Sequence, residues 1–402
     1  MMPSSSVRSL HRIWIVAAAV LAVLLVIGFF AALVGPKVPV YQGKTLYAWA
    51  EDLQKAQQNY SDPERWKKIE AANIAIRAIG TNALPFVMAD IRVRVTIKDR
   101  VNNWLATRLR FLKLQPTKIE DRWIRAIRAL EALGPIARPC LPELIALTHK
   151  STGYCEGALM AVGPDALPAF TNLLANSKYP QTGNFIGALA NSVYADRIKP
   201  KQAAVTLPYL VQVFLSSDTH GGWYAAQAFG AIHQQPELCV PLLVDGLTNS
   251  NPTFRAACAQ SLGAFGTAAA PHAARLAELF DHTDLQTRIA ICQSMANFNS
   301  AAKIAIPVLT RGLADSNDTV RTISASGLGQ LGHLETVPDQ TFDALIGALD
   351  DRNAMVRLMS VQSLGMIGFR GTNVLSAVQR ACMDRDPSVR NAATNALKRL
   401  SH

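Results

Sequence analysis

A short glycine-rich stretch has the letter pattern of a cofactor site. Residues 327–332 read GLGQLG, which matches the G-x-G-x-x-G spacing of a loop that binds a dinucleotide pyrophosphate. In such a loop a hydrophobic strand precedes the glycines and a helix follows them, so that the helix N-terminus faces the phosphates. Here the preceding residues, SNDTVRTISAS, read as a polar turn and the opening of a helix. The order is reversed, so the glycines are expected at a helix end and not in a nucleotide site.

The stretch around these glycines is one copy of a pattern that recurs along the C-terminal part of the chain. Five arginines follow one another at intervals of 33, 33, 36 and 33 residues, and Asn or Asp always stands four positions earlier. These arginines are Arg255, Arg288, Arg321, Arg357 and Arg390. Glycine or asparagine stands where each helix should stop, at Gly266, Asn299, Gly332 and Gly368. A column that accepts asparagine indicates an internal repeat, and not contacts with a pyrophosphate.

Each column has a physical reason in a helical unit. The Asn and Asp positions suit N-caps, because their side-chain oxygens accept from the first free N–H groups of a helix. The predicted caps are Asn251, Asp284, Asn317, Asn353 and Asp386. Pro252 and Pro387 then stand at the first helical position, where a missing N–H costs nothing. The final glycine or asparagine can close the helix in the left-handed conformation. A second apolar stretch follows a short linker, so the repeating unit is a helical hairpin.

This pattern resembles the HEAT-repeat family. D/N-x-x-V-R, then apolar residues at helical spacing, then L-G-x-x-G, is similar to the first-helix signature of the family and of bacterial HEAT-like proteins with an N-terminal membrane anchor. Degenerate copies at 71–87, 126–147, 158–174 and 224–247 extend it upstream. The resemblance implies an all-α chain, an α-solenoid of about nine hairpins over residues 63–402, in which each repeat packs on its neighbours. It also implies that the arginine column pairs with the acidic or amide caps of adjacent repeats as a structural ladder.

The N-terminal region predicts a different element. Residues 1–12 form a short tail, and residues 13–34 carry no charge over 22 positions, enough for one helix to span the hydrocarbon layer of a bilayer. Residues 35–62 follow as a linker and a capping helix, with Leu46, Trp49, Ala50 and Leu53 on one face. The chain is therefore predicted to be a single-pass membrane protein. Basic residues flank the span almost equally, and the short tail favours a cytoplasmic N-terminus and an extracytoplasmic solenoid.

Positive charge is concentrated in one insertion. The net charge is +11, of which residues 91–125 supply +7 and residues 1–44 supply +4. Residues 91–125 separate two repeat glycines that lie 54 positions apart, Gly80 and Gly134. One interpretation is an elongated repeat whose basic helix covers its neighbour, with the stems buried and the charges solvated. The other is a docking surface for anionic lipid headgroups or an acidic partner. The candidate interaction residues are Arg92, Arg94, Lys98, Arg100, Arg108, Arg110 and Lys113.

Three classes of function remain open. A membrane-tethered scaffold that binds protein partners is what extended helical repeats usually offer. The alternative is a solenoid that binds nucleic acid or anionic lipid through residues 91–125, although an exported domain would not meet nucleic acid. The third is an enzyme, since bilin-chromophore lyases carry similar repeats, but that similarity concerns the scaffold alone. The sequence has no H-E-x-x-H, no G-x-S-x-G and no metal-spaced Cys/His pair, so we predict no catalytic residue, no cofactor and no metal.

Overall fold

A computed structural model describes residues 37–94, 96–108, 119–148, 155–175, 182–216, 219–332, 337–369 and 371–401. The chain forms two compact units, Met1–Ala137 and Arg138–His402, called unit 1 and unit 2 below. Almost all of the described secondary structure is helical, as an all-α solenoid requires. The predicted tail at 1–12 and the predicted anchor at 13–34 lie outside the described residues.

Unit 1 begins with a tight β-hairpin. Strand β1 (Val40–Tyr41) pairs antiparallel with β2 (Lys44–Thr45). The two residues between them, Gln42 and Gly43, both have positive φ, 47° and 76°, as a two-residue hairpin turn requires. Five helices follow: α1 (Leu46–Gln58), α2 (Arg65–Ile79), α3 (Leu84–Ile91), α4 (Ile97–Arg108) and α5 (Ile119–Leu133).

Helix α1 is the amphipathic helix expected from the sequence. Thr45 caps it by accepting a hydrogen bond from the backbone N–H of Ala48. Leu46, Ala50 and Leu53 are buried, whereas Trp49 is half-buried. The helix packs on α2 and α5, so it covers apolar surface at the start of the helical stack.

One helical stretch of unit 1 has the composition of a membrane span. Within the described residues, Arg65–Ile91 is long and apolar enough to cross a bilayer. However, a left-handed residue, Gly80, with φ 62°, divides the stretch into α2 and α3. Half of its apolar window is buried in the protein, and both helices pack on α5. We therefore interpret α2 and α3 as core helices of unit 1.

Unit 2 continues with short helices in hairpin order. They are α6 (Leu141–Thr148), α7 (Cys155–Ala161), α8 (Leu167–Ala175), α9 (Thr182–Tyr194), α10 (Pro200–Ala203), α11 (Leu207–Leu215), α12 (Thr219–Ile232), α13 (Pro236–Gly246), α14 (Pro252–Ala264), α15 (Ala273–Phe280), α16 (Leu285–Asn297), α17 (Ala302–Gly312), α18 (Asp318–Leu331), α19 (Asp339–Gly347), α20 (Ala354–Ile367), α21 (Thr372–Ala381) and α22 (Pro387–Ser401).

These helices form two layers within unit 2. The first helices of successive hairpins pack side by side in the order α9, α12, α14, α16, α18, α20 and α22. The second helices form the other layer, in which α15, α17, α19 and α21 are successive neighbours. Each second helix from α11 onward also packs on the first helix of the following hairpin. Every hairpin therefore buries its apolar faces against its two neighbours in the sequence, as in other helical-repeat folds.

The predicted caps begin their helices at the expected residues. Asn251, Asp284, Asn317 and Asn353 accept backbone hydrogen bonds at the starts of α14, α16, α18 and α20, and Asp386 does the same for α22. The helix ends are less uniform than predicted. Gly266 and Gly368 have positive φ, but Gly332 has φ −68° and remains right-handed. Asn299 has no positive φ either, so the left-handed conformation that the sequence allows at four helix ends is found at Gly266 and Gly368 and not at Asn299 or Gly332.

The glycines of GLGQLG are contact positions inside α18. A Cβ atom on Gly329 would lie 2.9 Å from the Cα of Ser363 on α20. A Cβ atom on Gly327 would lie 3.0 Å from the Cβ of Ala296 on α16. One glycine thus faces the following first helix and the other faces the preceding one. The pattern arises because α18 approaches a neighbour closely on each side.

A serine hydroxyl uses the space that the glycine leaves. Ser261 on α14 donates to the carbonyl of Ala226, four residues before Gly230 on α12. The Ser294 hydroxyl donates to the carbonyl of Ala259, four residues before Gly263. The Ser363 hydroxyl donates to the carbonyl of Ala325, four residues before Gly329. Each carbonyl is also the helical acceptor for the glycine N–H. The same hydrogen bond from serine to a backbone carbonyl therefore joins three pairs of neighbouring first helices.

We predict that Gly329→Ala lowers the free energy of unfolding by about 1–3 kcal/mol, because the new methyl group overlaps the backbone of Ser363. Gly347→Ala is the matched control, since Gly347 is helical and has open space around its Cβ position. That control should be neutral or stabilising by up to about 1 kcal/mol. Urea unfolding followed by circular dichroism measures both changes. Equal effects of the two substitutions would show that the contact with Ser363 does not limit the packing.

Candidate docking surface

The repeat arginines lie in ion pairs that join successive hairpins. Arg288 on α16 binds Asp315 with its Nε atom at 2.7 Å and its Nη2 atom at 3.3 Å. The corresponding pairs are Arg255 with Asp284, Arg321 with Asp351 and Arg357 with Asp384, at shortest distances of 2.6, 2.7 and 2.8 Å. A planar guanidinium suits this two-point contact with a carboxylate. These arginines are committed to the stack, so a phosphate-binding role for the column has no support in the structure.

Each arginine also holds the turn before its own helix. The Nη1 atom of Arg321 donates to the carbonyls of Asp315 and Ser316 at 2.9 and 3.1 Å. Arg390 makes the same contacts with the carbonyls of Asp384 and Arg385. One side chain therefore fixes its own turn with Nη1 and reaches the next hairpin with Nε and Nη2. Arg390 is the last of the column, and within the described residues it forms no ion pair.

The carboxylate partners differ from those expected. The sequence predicted pairing with the cap residues, but only Arg255 binds a cap, Asp284. The other partners stand two residues before the caps: Asp315, Asp351 and Asp384. Each also accepts from the backbone N–H of its cap residue at 2.8 Å. The equivalent position before Asp284 is His282, which explains why Arg255 uses the cap itself. A repeated D-x-N/D in the sequence was the signal that identifies these partners.

Ion pairing and hydrogen bonding change the acidity of the ladder carboxylates. Desolvation alone would raise the pKa of Asp284, but the hydrogen bonds from Thr287 and Arg255 outweigh it and lower the pKa to about 2. The hydrogen bond from Arg357 lowers the pKa of Asp384, and arginine partners likewise help to lower those of Asp315 and Asp351 against desolvation. The ladder is therefore fully charged at neutral pH.

The basic segment 91–125 contains two structural classes of arginine. Arg122 on α5 binds the buried carboxylate of Asp90 on α3 at 2.6 Å, and Arg125 lies 3.6 Å from the same group. The indole N–H of Trp123 donates to the carbonyl of Val93 at 2.9 Å. These contacts tie α5 to the end of α3. Part of the basic charge thus belongs to the core of unit 1 and not to a docking surface.

The remaining described arginines surround α4. Arg92, Arg94, Arg100 and Arg108 are exposed. Within the described residues Arg94, Arg100 and Arg108 form no ion pair. The side chain of Lys98, together with Arg110 and Lys113, lies outside the described part of the chain. Of the seven predicted interaction residues, Arg100 and Arg108 lie on α4 and Arg94 lies shortly before it.

Helix α4 has a capped start and an exposed surface. Its start is fixed by Thr96 and Asp99: the Thr96 N–H donates to the Asp99 carboxylate at 2.8 Å and the Asp99 N–H donates to the Thr96 hydroxyl at 3.2 Å. None of its described side chains is buried, and Trp104 is 60% exposed. Residues 97–108 therefore give no support to the interpretation in which a basic helix buries its stems against a neighbour, and residues 109–118 lie outside the described part of the chain.

Other chemistry-bearing residues have structural environments. Gly43, Lys44 and Thr45, which resemble the end of a phosphate-binding loop, form the β-hairpin turn and the cap of α1. Among the described residues no group of three or more His, Cys, Asp or Glu side chains could hold a metal ion. Five cysteines are buried, and none of the described cysteines forms a disulfide. Burial raises the pKa of Cys239 to about 12 and that of Cys292 to about 11, which suppresses thiolate chemistry.

Unit 1 also contains an open cleft of about 570 Å³. Its lining includes Lys44, Trp49, Asp52, Asp62 and Lys68. Lys44 binds Asp52 at 2.8 Å and Lys68 binds Asp62 at 2.7 Å. Because these charges neutralise one another in pairs, the lining selects neither an anion nor a cation.

Comparison with known proteins supports the fold alone. No family model matches the sequence, and no curated protein matches it. A crystal structure of a Kap121p mutant is similar over 92% of this chain with a TM-score of 0.51 and 12% identity; the chain spans 46% of the length of Kap121p. An engineered protein is 18% identical over 88% of this chain and 99% of its own, with a TM-score of 0.49.

A second, weaker similarity involves an enzyme. The complex of CpcE and CpcF of phycocyanin lyase from a Nostoc species is 17% identical over 57% of this chain and 93% of its own, with a TM-score of 0.36. At this TM-score the similarity carries no argument about function. The match to Kap121p identifies the described chain as an α-helical repeat solenoid and goes no further.

We predict that Arg357→Met lowers the free energy of unfolding by about 3–5 kcal/mol, because it leaves the Asp384 carboxylate nearly buried without its partner. The side chains of this pair are only 4% and 11% exposed. Arg275→Met breaks the exposed pair with Glu278 and should cost less than about 1 kcal/mol. Urea unfolding compares the two variants. Similar losses in both would indicate that the ladder contributes no more than an ordinary surface ion pair.

A second prediction concerns acid stability. The folded-state pKa of Asp284 lies below its unfolded value, so its contribution is present above the unfolded pKa and is lost as the pH falls through the folded pKa. Stability should therefore decrease between about pH 5 and pH 2. Asp284→Asn retains a cap for α16 but not the charge, and it should flatten this decrease. Urea unfolding midpoints measured across the pH range give the slope; an unchanged slope would contradict the assignment.

Proposed function

We propose that this protein is a membrane-tethered HEAT-repeat scaffold that binds protein partners and has no catalytic activity of its own. The main support for this proposal is that the two helix layers of unit 2 have different packing requirements. The first helices hold the arginine ladder and the glycine contacts, so their residue types are set by packing. The exposed positions of the second helices are under no such demand.

The second helices present varied exposed side chains. Arg275 and Glu278 are exposed on α15, Lys303 and Ile304 on α17, Asp343 on α19, and Arg380 on α21. Opposite charges and an apolar residue follow one another along adjacent helices. A layer of this kind offers a composite surface to another protein, which is the usual function of stacked helical repeats.

The membrane tether is proposed from the sequence. Residues 13–34 are long and apolar enough to span a bilayer, and we place the N-terminus in the cytoplasm with the solenoid on the extracytoplasmic side. A tag after His402 should then be accessible to protease in cells whose outer barrier is opened while the inner membrane is intact. Protection of the tag until the inner membrane is opened would reverse this topology.

Site-specific photocrosslinking tests the scaffold proposal. Benzoylphenylalanine at Ile304 or Asp343 on the second helices should give the same protein adduct in cells that produce the full chain. The controls are Gln260 and Gln330, which are exposed on the first helices α14 and α18, and they should give none. Asp343→Lys should weaken the adduct formed at Ile304. No adduct, or equal adducts from both layers, would refute a partner surface on the second helices.

A further inference from the structure

Helix α4 carries three large apolar side chains on one face, and that face is exposed to solvent. Ile97, Val101 and Trp104 follow the i, i+4, i+7 spacing that places side chains on one face of a helix. They are 81%, 50% and 60% exposed. Asn102, Asn103 and Ala106 occupy the opposite face, and each is only partly exposed. The most exposed side chains of the helix are therefore its apolar ones, the reverse of a surface helix in a soluble domain.

Positive charge borders the exposed apolar face. Arg108 continues the row of Ile97, Val101 and Trp104 by one further turn, Arg100 lies beside that row, and Arg94 precedes the helix. The one acidic residue of α4, Asp99, lies on another side and bonds Thr96. The exposed face thus combines aliphatic side chains, an indole and three guanidinium groups that form no ion pair within the described residues.

We propose that α4 is an interfacial helix that docks unit 1 on a membrane surface rich in anionic lipid. Its aliphatic side chains would enter the boundary between headgroups and acyl chains, Trp104 would lie at the interface that favours tryptophan, and the arginines would bind lipid phosphates. The exposed face of α4 has the groups that such an interface binds: aliphatic side chains, an amphipathic indole and cationic groups beside them.

The proposed tether brings unit 1 within reach of such a surface, and the docking of α4 rests on that part of the proposed function. Five residues separate Val34 from Val40 in β1, so β1 lies within roughly 20 Å of the end of the predicted span even if the linker is fully extended. Helix α4 belongs to the same compact unit as β1. A short linker of this kind favours contact with lipid over contact with a distant partner.

Quenching of tryptophan fluorescence by brominated lipid tests the proposal on the full chain. The protein is reconstituted into vesicles of brominated phosphatidylcholine, with or without phosphatidylglycerol. With phosphatidylglycerol present, wild-type protein should lose more fluorescence than Trp104→Phe. This excess quenching should disappear in vesicles without phosphatidylglycerol and at high salt. Trp66→Phe is the matched control, because Trp66 is similarly exposed on α2, and it should keep the excess.

A charge variant gives an independent measurement. Arg100→Gln combined with Arg108→Gln should abolish the excess quenching, whereas Lys398→Gln combined with Arg399→Gln, the same charge change at exposed positions of α22, should keep it. Circular dichroism and thermal unfolding of each variant show that the exposed substitutions leave the fold intact. Retention of quenching in the Arg100 and Arg108 variant would overturn the role of charge in α4 docking.

Flotation of the vesicles separates this inference from the tether itself. Wild-type protein that floats at high salt but shows no quenching assigned to Trp104 would leave the tether standing and overturn the docking of α4. Failure to float with either vesicle would overturn both. Equal loss of quenching in Trp66→Phe and Trp104→Phe would assign the contact to unit 1 in general and refute α4 as its site. Quenching of Trp104 by added nucleic acid and not by lipid would replace the membrane with that partner.

Discussion

The close approach of successive first helices is the constraint on which unit 2 depends. At three junctions a glycine on one helix faces a serine on the next, and the serine hydroxyl reaches the carbonyl four residues before the glycine. At the junction between α16 and α18 the glycine is on the later helix, where Gly327 faces Ala296 of the earlier one. A side chain as large as alanine on both helices would push them apart. One glycine in each of these pairs therefore sets the spacing of the layer.

The arginine ladder depends on this spacing. Four of the five guanidinium groups, those before Arg390, are held by carbonyls of their own turns while they reach a carboxylate 27 to 30 positions further along the chain. Such a double contact requires that adjacent turns lie at nearly the same separation in every repeat. The ion pairs are only partly exposed, so each one strongly favours the correct arrangement over one with an unpaired charge. The packing of the first helices thus sets the distance between successive turns, and the arginine ion pairs favour one alignment of each hairpin with the next.

Local features of the sequence predicted local structure well, and non-local contacts less well. The five caps and the helices that follow them came from short-range chemistry that is complete within four residues. The partners of the arginines did not, because the choice between Asp315 and Asn317 depends on where a neighbouring hairpin lies. The right-handed Gly332 escaped prediction for a related reason: glycine permits the left-handed conformation but does not require it. The spacing of Ile97, Val101 and Trp104 places them on one face of α4, but spacing alone does not reveal which way a face points.

Agreement between local sequence and fold makes the exception informative. In unit 2, caps, turns, apolar faces and charges all favour the same arrangement, which is expected of a sequence that specifies one structure. Helix α4 has a well-formed cap and a regular apolar face, so its local signals are as clear as those of the repeats, yet that face is turned to solvent. Exposed isoleucine, valine and tryptophan side chains on one face cost solvation free energy unless another surface covers them. The docking proposed for α4 would cover that face.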